Sequence, residues 1–179
     1  MATEKAIFAG GCFWCTEAIY QRIKGVVEVK SGYASNSESN APTYTQVSSG
    51  GTAFAEAIEV TFDPDTISYK ELVYIFLRTH DPTTLNRQGA DIGKQYRSEI
   101  FVVDDEQKEI AEEEIKTADQ EIYDGKIVTK VSSLGKFHEA ESYHQDYFNK
   151  NSSQPYCQVI INPKLDKFKK EFNKYLKED

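Results

Sequence analysis

The stretch AIFAGGCFWCTEAIYQRI, residues 6–23, contains the change of pattern that decides how the chain begins to fold. The apolar run at residues 6–9 predicts a short buried strand, and the apolar residues of segment 16–23 recur at the spacing of one helix face. Two glycines lie between these patterns, where they allow a tight turn and the close approach of another group. The stretch therefore predicts a strand, a glycine turn and a helix that begins near Cys12.

Cys12 is predicted to lie where a thiol becomes reactive. At a helix N-terminus, free backbone N–H groups and the positive end of the helix dipole stabilise a thiolate, so we expect the pKa of Cys12 to fall below that of an ordinary cysteine. We interpret Cys12 as a nucleophile. The alternative is that Cys12 and Cys15 are small apolar side chains of the core. Phe13 and Trp14 are predicted either to form an apolar wall beside the nucleophile or to pack in the core.

Composition limits the classes of protein to which the chain can belong. Its 179 residues, 39% of them hydrophobic, show no linker or repeat, so we expect one domain over residues 1–179. A net charge of −8 argues against nucleic acid or an anionic membrane surface as the partner. We expect neither an export signal nor a membrane span. An odd number of cysteines does not suit a secreted disulfide framework, which favours a reducing cytoplasm.

Residues 53–62 have the period of two that is typical of a strand with two different faces. One face carries a carboxylate among apolar side chains, in the order Phe54, Glu56, Ile58, Val60 and Phe62. A carboxylate facing a core loses hydration, which raises its pKa, so Glu56 is a candidate general acid. The alternative is that Glu56 turns toward solvent or pairs with an arginine such as Arg97.

Strand and helix patterns continue in mixed order along the rest of the chain. Further strands are predicted at residues 26–33, 99–103 and 127–132, and loops at 35–40 and 87–98. Helices are predicted after a capping box at Ser68–Glu71, over 104–122 with Ile122 inward, through Phe137, Ala140, His144 and Phe148, and after Asn162–Pro163. This order indicates a sheet with helices packed on it.

The CxxC spacing of Cys12 and Cys15 has other interpretations. A zinc site would use His138 and His144, which five residues separate, but two aromatic side chains between the cysteines would crowd a tetrahedral centre. A thioredoxin-type disulfide exchanger shares the order of strand, CxxC and helix, but it needs neither aromatic spacers nor the additional Cys157. A module that binds a methionine-like side chain without chemistry is a third alternative.

Ordered blocks of the sequence resemble the A-type peptide methionine sulfoxide reductases. The blocks are GGCFWC, APTY, SGGTAFAE, HDPTT, RQGADIGKQYRS and FHEAESYHQDYF, and they extend over nearly the whole chain. The resemblance implies reduction of the S epimer of methionine sulfoxide, in proteins and as the free amino acid, by an enzyme that uses thioredoxin and no cofactor. We expect this enzyme to be monomeric, cytoplasmic and without a metal. It also implies an α+β fold, a two-layer sandwich of a mostly antiparallel mixed sheet with helices packed on it and a ferredoxin-like core.

The same resemblance implies roles for the residues around the thiol. Cys12 corresponds to the nucleophile that attacks the sulfoxide sulfur, which leaves methionine and a sulfenic acid on Cys12. Phe13 and Trp14 correspond to the aromatic pair that receives the substrate methyl group.

Four further residues correspond to the polar part of the family's pocket. Glu56 matches the acid that protonates the sulfoxide oxygen, Tyr44 and Tyr96 match the hydroxyls that hold that oxygen, and Asp91 matches a neighbouring carboxylate. The pattern of residues and the resemblance therefore agree on Glu56. The chain departs from the family at Phe54, where a histidine is common, so the surroundings of the acid are predicted to be more apolar here.

Resolution of the sulfenic acid has two candidates. Cys157 is favoured because it follows a polar segment, and we expect the region around residues 149–158 to be mobile enough to bring this thiol to Cys12. Cys15 is the second candidate, either by direct attack, which would distort the first turn of the helix, or as a relay toward the reductant.

Overall fold

The computed structural model describes residues 2–37 and 40–177. Residues 38 and 39, within the loop predicted at 35–40, and the chain ends predicted to belong to the domain (1, 178 and 179) lie outside the described residues. The strands are β1 Glu4–Gly10, β2 Val26–Ser35, β3 Ala55–Phe62, β4 Arg87–Gln88, β5 Asp91–Ile92, β6 Ser98–Val102, β7 Lys130–Ser133 and β8 Lys136–Glu139. The α-helices are α1 Phe13–Tyr20, α2 Tyr44–Ser48, α3 Tyr69–Thr79, α4 Asp105–Ala118, α5 Tyr147–Lys150 and α6 Asn162–Glu171.

Six of the described strands form one sheet in the order β7-β6-β1-β3-β2-β8. Neighbouring strands run antiparallel except β6 and β7, which are parallel. The central strands β1 and β3 pair from Glu4 opposite Phe62 to Phe8 opposite Ile58. Strands β4 and β5 form a separate short hairpin. The fold is therefore α+β with a mixed, mostly antiparallel sheet.

The two faces of β3 are the two faces predicted from its period of two. Ile58, Val60 and Phe62 are buried in the larger core, together with Phe8 of β1. The opposite face is built largely from small side chains and is covered by Leu134 and Phe137. The capping box at the start of α3 is also present, since Ser68 and Glu71 exchange side-chain-to-backbone hydrogen bonds.

The predicted helix over residues 104–122 differs at its end. Helix α4 stops at Ala118, and the chain continues as a π-helical turn, Asp119–Tyr123. A π turn adds a residue to the helical repeat, which rotates the following side chains about the axis. The prediction that Ile122 faces inward is therefore wrong, and its side chain is 51% exposed.

The predicted helix through Phe137 and His144 is also wrong. Residues 136–139 instead form β8, an edge strand that pairs with β2, and a 3-10 helix, Ser142–His144, follows before α5. Apolar residues at helical spacing occurred here by coincidence, because Phe137 covers one face of the sheet whereas His144 packs against aromatic side chains of the other core. Pairing with the open edge of β2 outweighed the local periodicity.

The glycine turn has the close packing expected from the sequence. Gly11 has a φ of +94°, and a Cβ atom there would lie 2.7 Å from Cγ of Gln88. A Cβ atom on Gly10 would lie 2.7 Å from the ring of Phe76. Both glycines are required for β1 to turn into α1 at this distance from its neighbours.

No helix in the described part of the chain is both long and apolar enough to cross a membrane.

We expect Gly11→Ala to lower the free energy of unfolding by about 3 kcal/mol, since alanine would combine an unfavourable positive φ with overpacking against Gln88. Gly89→Ala is the matched control, because Gly89 has a φ of +58° and no atom within 4 Å of the added Cβ. We expect a loss of about 1 kcal/mol for that variant. Equal losses in urea unfolding would contradict the close approach at Gly11.

Candidate active site

Cys12 lies at the junction of the glycine turn and the first helix. It is the N-cap residue of α1, with extended backbone angles, and its carbonyl accepts the first helical hydrogen bond from the N–H of Cys15 at 3.1 Å. Cys12 is partly exposed, whereas Cys15 on the next turn is buried. The predicted position of the thiol at a helix N-terminus is therefore confirmed.

The expected fall in the pKa of Cys12 is wrong. Burial raises the pKa of this thiol well above its usual value, and its hydrogen bond with Cys15 and the nearby charge of Glu56 act in the same direction. The hydrogen bond from Cys12 instead lowers the pKa of Cys15 to about 7, against the effect of burial. The two thiols are therefore coupled by this hydrogen bond, and a negative charge on either sulfur disfavours ionisation of the other.

Glu56 projects from β3 into the core beside the start of α1. Its side chain is buried, and its Oε1 atom accepts a hydrogen bond of 3.1 Å from the backbone N–H of Phe13. Burial raises the pKa of Glu56 to about 8, and this effect exceeds the lowering by the Phe13 N–H. Arg97 pairs with Glu99 at 2.6 Å and not with Glu56. The raised pKa favours the protonated form of the Glu56 carboxyl near neutral pH.

Tyr44, Tyr96 and Asp91 come from three separate segments and lie within electrostatic reach of Glu56. Tyr44 begins α2, Asp91 lies in β5, and Tyr96 ends the 3-10 helix Lys94–Tyr96. Burial raises the pKa of Tyr44 to about 12 and that of Tyr96 well above its usual value, and the charge of Glu56 is the next largest cause for both. Both phenols are therefore hydrogen-bond donors at any physiological pH.

An aromatic wall stands beside the thiol. The ring of Trp14 stacks on Tyr147 with the centroids 3.8 Å apart and the planes 7° from parallel. Its indole Nε1–H donates a hydrogen bond of 3.0 Å to Nδ1 of His144. Phe13 is buried behind this wall against Tyr33, with a centroid distance of 5.8 Å. Trp14 is partly exposed, whereas Phe13 belongs to the core.

Three more residues contact the predicted site, and the sequence pattern pointed to only one of them, His144, as a zinc ligand. The hydroxyl of Tyr156 donates to Oδ2 of Asp91 at 3.2 Å and lies 3.7 Å from Sγ of Cys15. Glu141 accepts hydrogen bonds from the backbone N–H of Tyr44 and the hydroxyl of Tyr33, and His144 accepts the bond from Trp14. The block FHEAESYHQDYF contains two of them, but only pairing across the fold shows their partners.

Cys157 occupies the interior of the protein. It begins a π-helical segment, Cys157–Ile161, and its side chain is fully buried. Burial raises the pKa of its thiol, and the charge of Cys15 raises it further, so the two sulfur atoms lie within electrostatic reach. Backbone hydrogen bonds from Gln154 to Asn151 and from Gln158 to Gln154 hold the preceding turn. The three cysteines therefore lie in the order Cys12, Cys15 and Cys157 from pocket to core.

Phe54, which replaces the family's histidine, is buried and packs edge-on against the ring of His138 at 5.5 Å. Within residues 2–37 and 40–177, no group of three or more His, Cys, Asp or Glu side chains is arranged to hold a metal ion.

Comparison with known proteins identifies the family. A sequence model described as peptide methionine sulfoxide reductase matches residues 4–176. A protein of a Nitratiruptor species named peptide methionine sulfoxide reductase MsrA is 55% identical over 174 residues, which cover 97% of this chain and 99% of that protein.

Solved structures give the same result. The reduced form of Mxr1 from Saccharomyces cerevisiae matches with a TM-score of 0.76 and 39% identity, covering 87% of this chain and 89% of that one. Mxr1 in complex with Trx2 matches with a TM-score of 0.55 and 32% identity over 81% of this chain and 84% of that one. With a family match over almost its whole length, and with a thiol, an aromatic wall and a neutral buried carboxyl in one pocket, the chain belongs to the peptide methionine sulfoxide reductase family.

Proposed function

We propose that this protein reduces the S epimer of methionine sulfoxide, in proteins and as the free amino acid, to methionine. The observation that carries the proposal is the neutral carboxyl of Glu56, which is held by the Phe13 N–H one residue from the Cys12 thiol. A sulfoxide accepts a thiolate at sulfur only as its oxygen is protonated, and this pair brings nucleophile and acid together.

The first chemical step transfers the oxygen. Cys12 gives its proton to the Cys15 thiolate, and the Cys12 sulfur attacks the sulfoxide sulfur while Glu56 protonates the oxygen, with Tyr44 and Tyr96 donating hydrogen bonds to it. The protonated oxygen then moves to Cys12, so that the new sulfur–sulfur bond and the S–O bond of the substrate break as an S–O bond to Cys12 forms. Methionine leaves with two more electrons, Cys12 becomes a sulfenic acid, and Glu56 is left ionised.

Substrate orientation follows from the shape and charge of the pocket. The methyl group of the substrate would lie against Trp14 with Phe13 behind it, because an apolar wall excludes the polar sulfoxide oxygen. The oxygen then points toward Glu56 and the two tyrosines. Asp91 at the rim, bonded to Tyr156, would accept a hydrogen bond from a polar group of the substrate.

Resolution would begin at Cys15. The sequence favours direct attack by Cys157, but Cys15 already shares a hydrogen bond with Cys12, whereas Cys157 is fully buried. Cys12 is the N-cap residue and its backbone is extended, so its position is not fixed by helical geometry. The Cys15 thiol can then attack the sulfenic acid to form a Cys12–Cys15 disulfide with loss of water. Attack by Cys157 on Cys15 would then transfer the disulfide to the Cys15–Cys157 pair and return Cys12 to its thiol form. This second step requires the segment around 149–158 to open, as expected from its polar composition.

Thioredoxin would reduce the final disulfide, a role supported by the Mxr1 structure with Trx2. The proposed chemistry needs only thiols and a carboxyl, so we propose an enzyme without cofactor or metal. We also propose that it is monomeric and cytoplasmic and that neither nucleic acid nor a membrane is its partner.

We also infer that the fold has a ferredoxin-like core in a two-layer sandwich. The support is the chain order β1, α1, β2, β3, α3, β6 together with the spatial order β6-β1-β3-β2, which is the split βαβ arrangement.

We expect Cys12→Ser to abolish reduction of the S epimer of N-acetylmethionine sulfoxide with dithiothreitol as reductant, since serine cannot form the sulfenic acid. The native chain should consume the S epimer and leave the R epimer. Chromatography of the two separated epimers measures both. Consumption of neither epimer by the native chain would reject the reductase and favour a binding module or a disulfide exchanger.

We expect Glu56→Gln to lower the rate of methionine formation at least about 10²-fold, the usual contribution of a positioned acid. In the native chain, kcat/KM should fall as pH rises through about 8, because the raised pKa keeps Glu56 protonated below that value and ionises it above. The fall should be absent in Glu56→Gln. Single-turnover rates across this range test the assignment, and an unchanged descending limb in the variant would place the acid elsewhere.

We expect Cys157→Ser to accumulate a Cys12–Cys15 disulfide after one turnover without reductant, and to lose activity with thioredoxin but not with dithiothreitol. Cys15→Ser should accumulate the Cys12 sulfenic acid. Alkylation followed by peptide mass spectrometry distinguishes these species. A Cys12–Cys157 disulfide formed at the native rate in Cys15→Ser would show that Cys157 resolves directly.

A further inference from the structure

Glu17 is a buried carboxylate of α1 to which the chemistry above gives no role. Its side chain is 1% exposed, yet it makes no ion pair in the described part of the chain. Its two carboxylate oxygens instead accept the backbone N–H groups of Asp146, at 3.0 Å, and Tyr147, at 3.2 Å. A buried acid is costly to ionise, so its retention in the core requires a specific use.

The two N–H groups that Glu17 binds belong to a turn that needs external support. Asp146 has a φ of +56°, in the left-handed region that residues with a Cβ atom adopt less readily than glycine. Helix α5, which begins at Tyr147, is only four residues long, and its side chains supply no N-cap hydrogen bond. The first N–H groups of a helix have no partner within it, so a carboxylate from α1 takes the place of the missing cap. Gln21, one turn further along α1, adds a hydrogen bond of 3.0 Å to Asp146.

The same turn carries the outer layer of the aromatic wall. Tyr147 follows Asp146 directly, and its ring covers the face of Trp14 at 3.8 Å. Trp14 and Glu17 are three residues apart on α1, so they lie on neighbouring positions of one helix face. The Glu17 carboxylate therefore links the backbone of Tyr147 to α1, which carries Trp14. The stacked rings of Tyr147 and Trp14 form a second contact between the same two segments.

We propose that Glu17 is a positioning residue that fixes Trp14 for binding of the substrate methyl group by holding Tyr147 against it. The inference rests on the proposed function for the role of Trp14. Glu17 touches neither the substrate nor the reacting sulfur atoms, and it acts through the Asp146–Tyr147 turn. Burial raises the pKa of Glu17 to about 7, an effect that the neighbouring Asp146 increases and the two backbone N–H groups and Ser31 oppose.

Glu17→Gln is the variant that tests this role, because glutamine keeps the volume and one of the two acceptors. We expect KM for N-acetylmethionine-S-sulfoxide to rise about tenfold, the equivalent of about 1.4 kcal/mol, with kcat changed less than about twofold. The emission of Trp14, the one tryptophan of the chain, should shift to longer wavelength and become more accessible to acrylamide. Glu17→Asp keeps the charge and should show a smaller change of both kinds.

A double-mutant cycle separates positioning from general stability. Tyr147→Leu removes the ring that covers Trp14, so Glu17→Gln should add less than about twofold to KM in that background. Glu114→Gln is the matched control, because it neutralises another buried glutamate on the distant helix α4 and should change neither KM nor Trp14 emission.

Additive effects of Glu17→Gln and Tyr147→Leu, or unchanged Trp14 emission in Glu17→Gln, would overturn the role of Glu17. If Glu17→Gln does not fold by circular dichroism, Glu17→Asp with the same cycle decides. If the native chain reduces no sulfoxide, the proposed function is rejected. The emission of Trp14 still tests the contact between Glu17 and the aromatic wall in that case, because emission is measured without turnover.

Discussion

One hydrogen bond, from the backbone N–H of Phe13 to the carboxyl of Glu56, fixes the geometry of the whole pocket. It joins the central strand β3 to the first turn of α1, so the carboxyl and Cys12 keep a constant separation. The glycine turn that leads into α1 is also required, because a Cβ atom at Gly10 or Gly11 would lie too close to Phe76 or Gln88. The carboxyl accepts a bond that would normally favour its ionised form, yet burial is the larger effect, and the group remains an acid.

The buried acid also affects the ionisation of the two thiols. A carboxyl and two thiols in one apolar pocket cannot all ionise, since each negative charge raises the pKa of the others. In the free protein, burial and the neighbouring thiol raise the pKa of Cys12, whereas the hydrogen bond between the two thiols lowers the pKa of Cys15. Cys157, the third thiol, is fully buried.

Much of this site follows from the sequence because its key residues are placed by local rules. The period of two in β3 predicts the inward direction of Glu56, and the change from strand to helix pattern predicts Cys12 at a helix start. The pKa of Cys12 could not be predicted the same way, since it depends on burial by segments far along the chain. The contacts of Tyr156 and the position of the edge strand β8 could not be predicted for the same reason. Both depend on residues that are distant in sequence and pair only in the folded chain.

The protonation state of Glu56 in the reduced, substrate-free protein tests this account most directly. Infrared difference spectra between the native chain and Glu56→Gln, recorded near neutral pH, isolate the absorption of this one carboxyl. We predict the band of a protonated carboxyl, which disappears as pH rises through about 8. A difference spectrum that contains only carboxylate bands near neutral pH would contradict the account, because Glu56 would then have no proton to give to the sulfoxide oxygen.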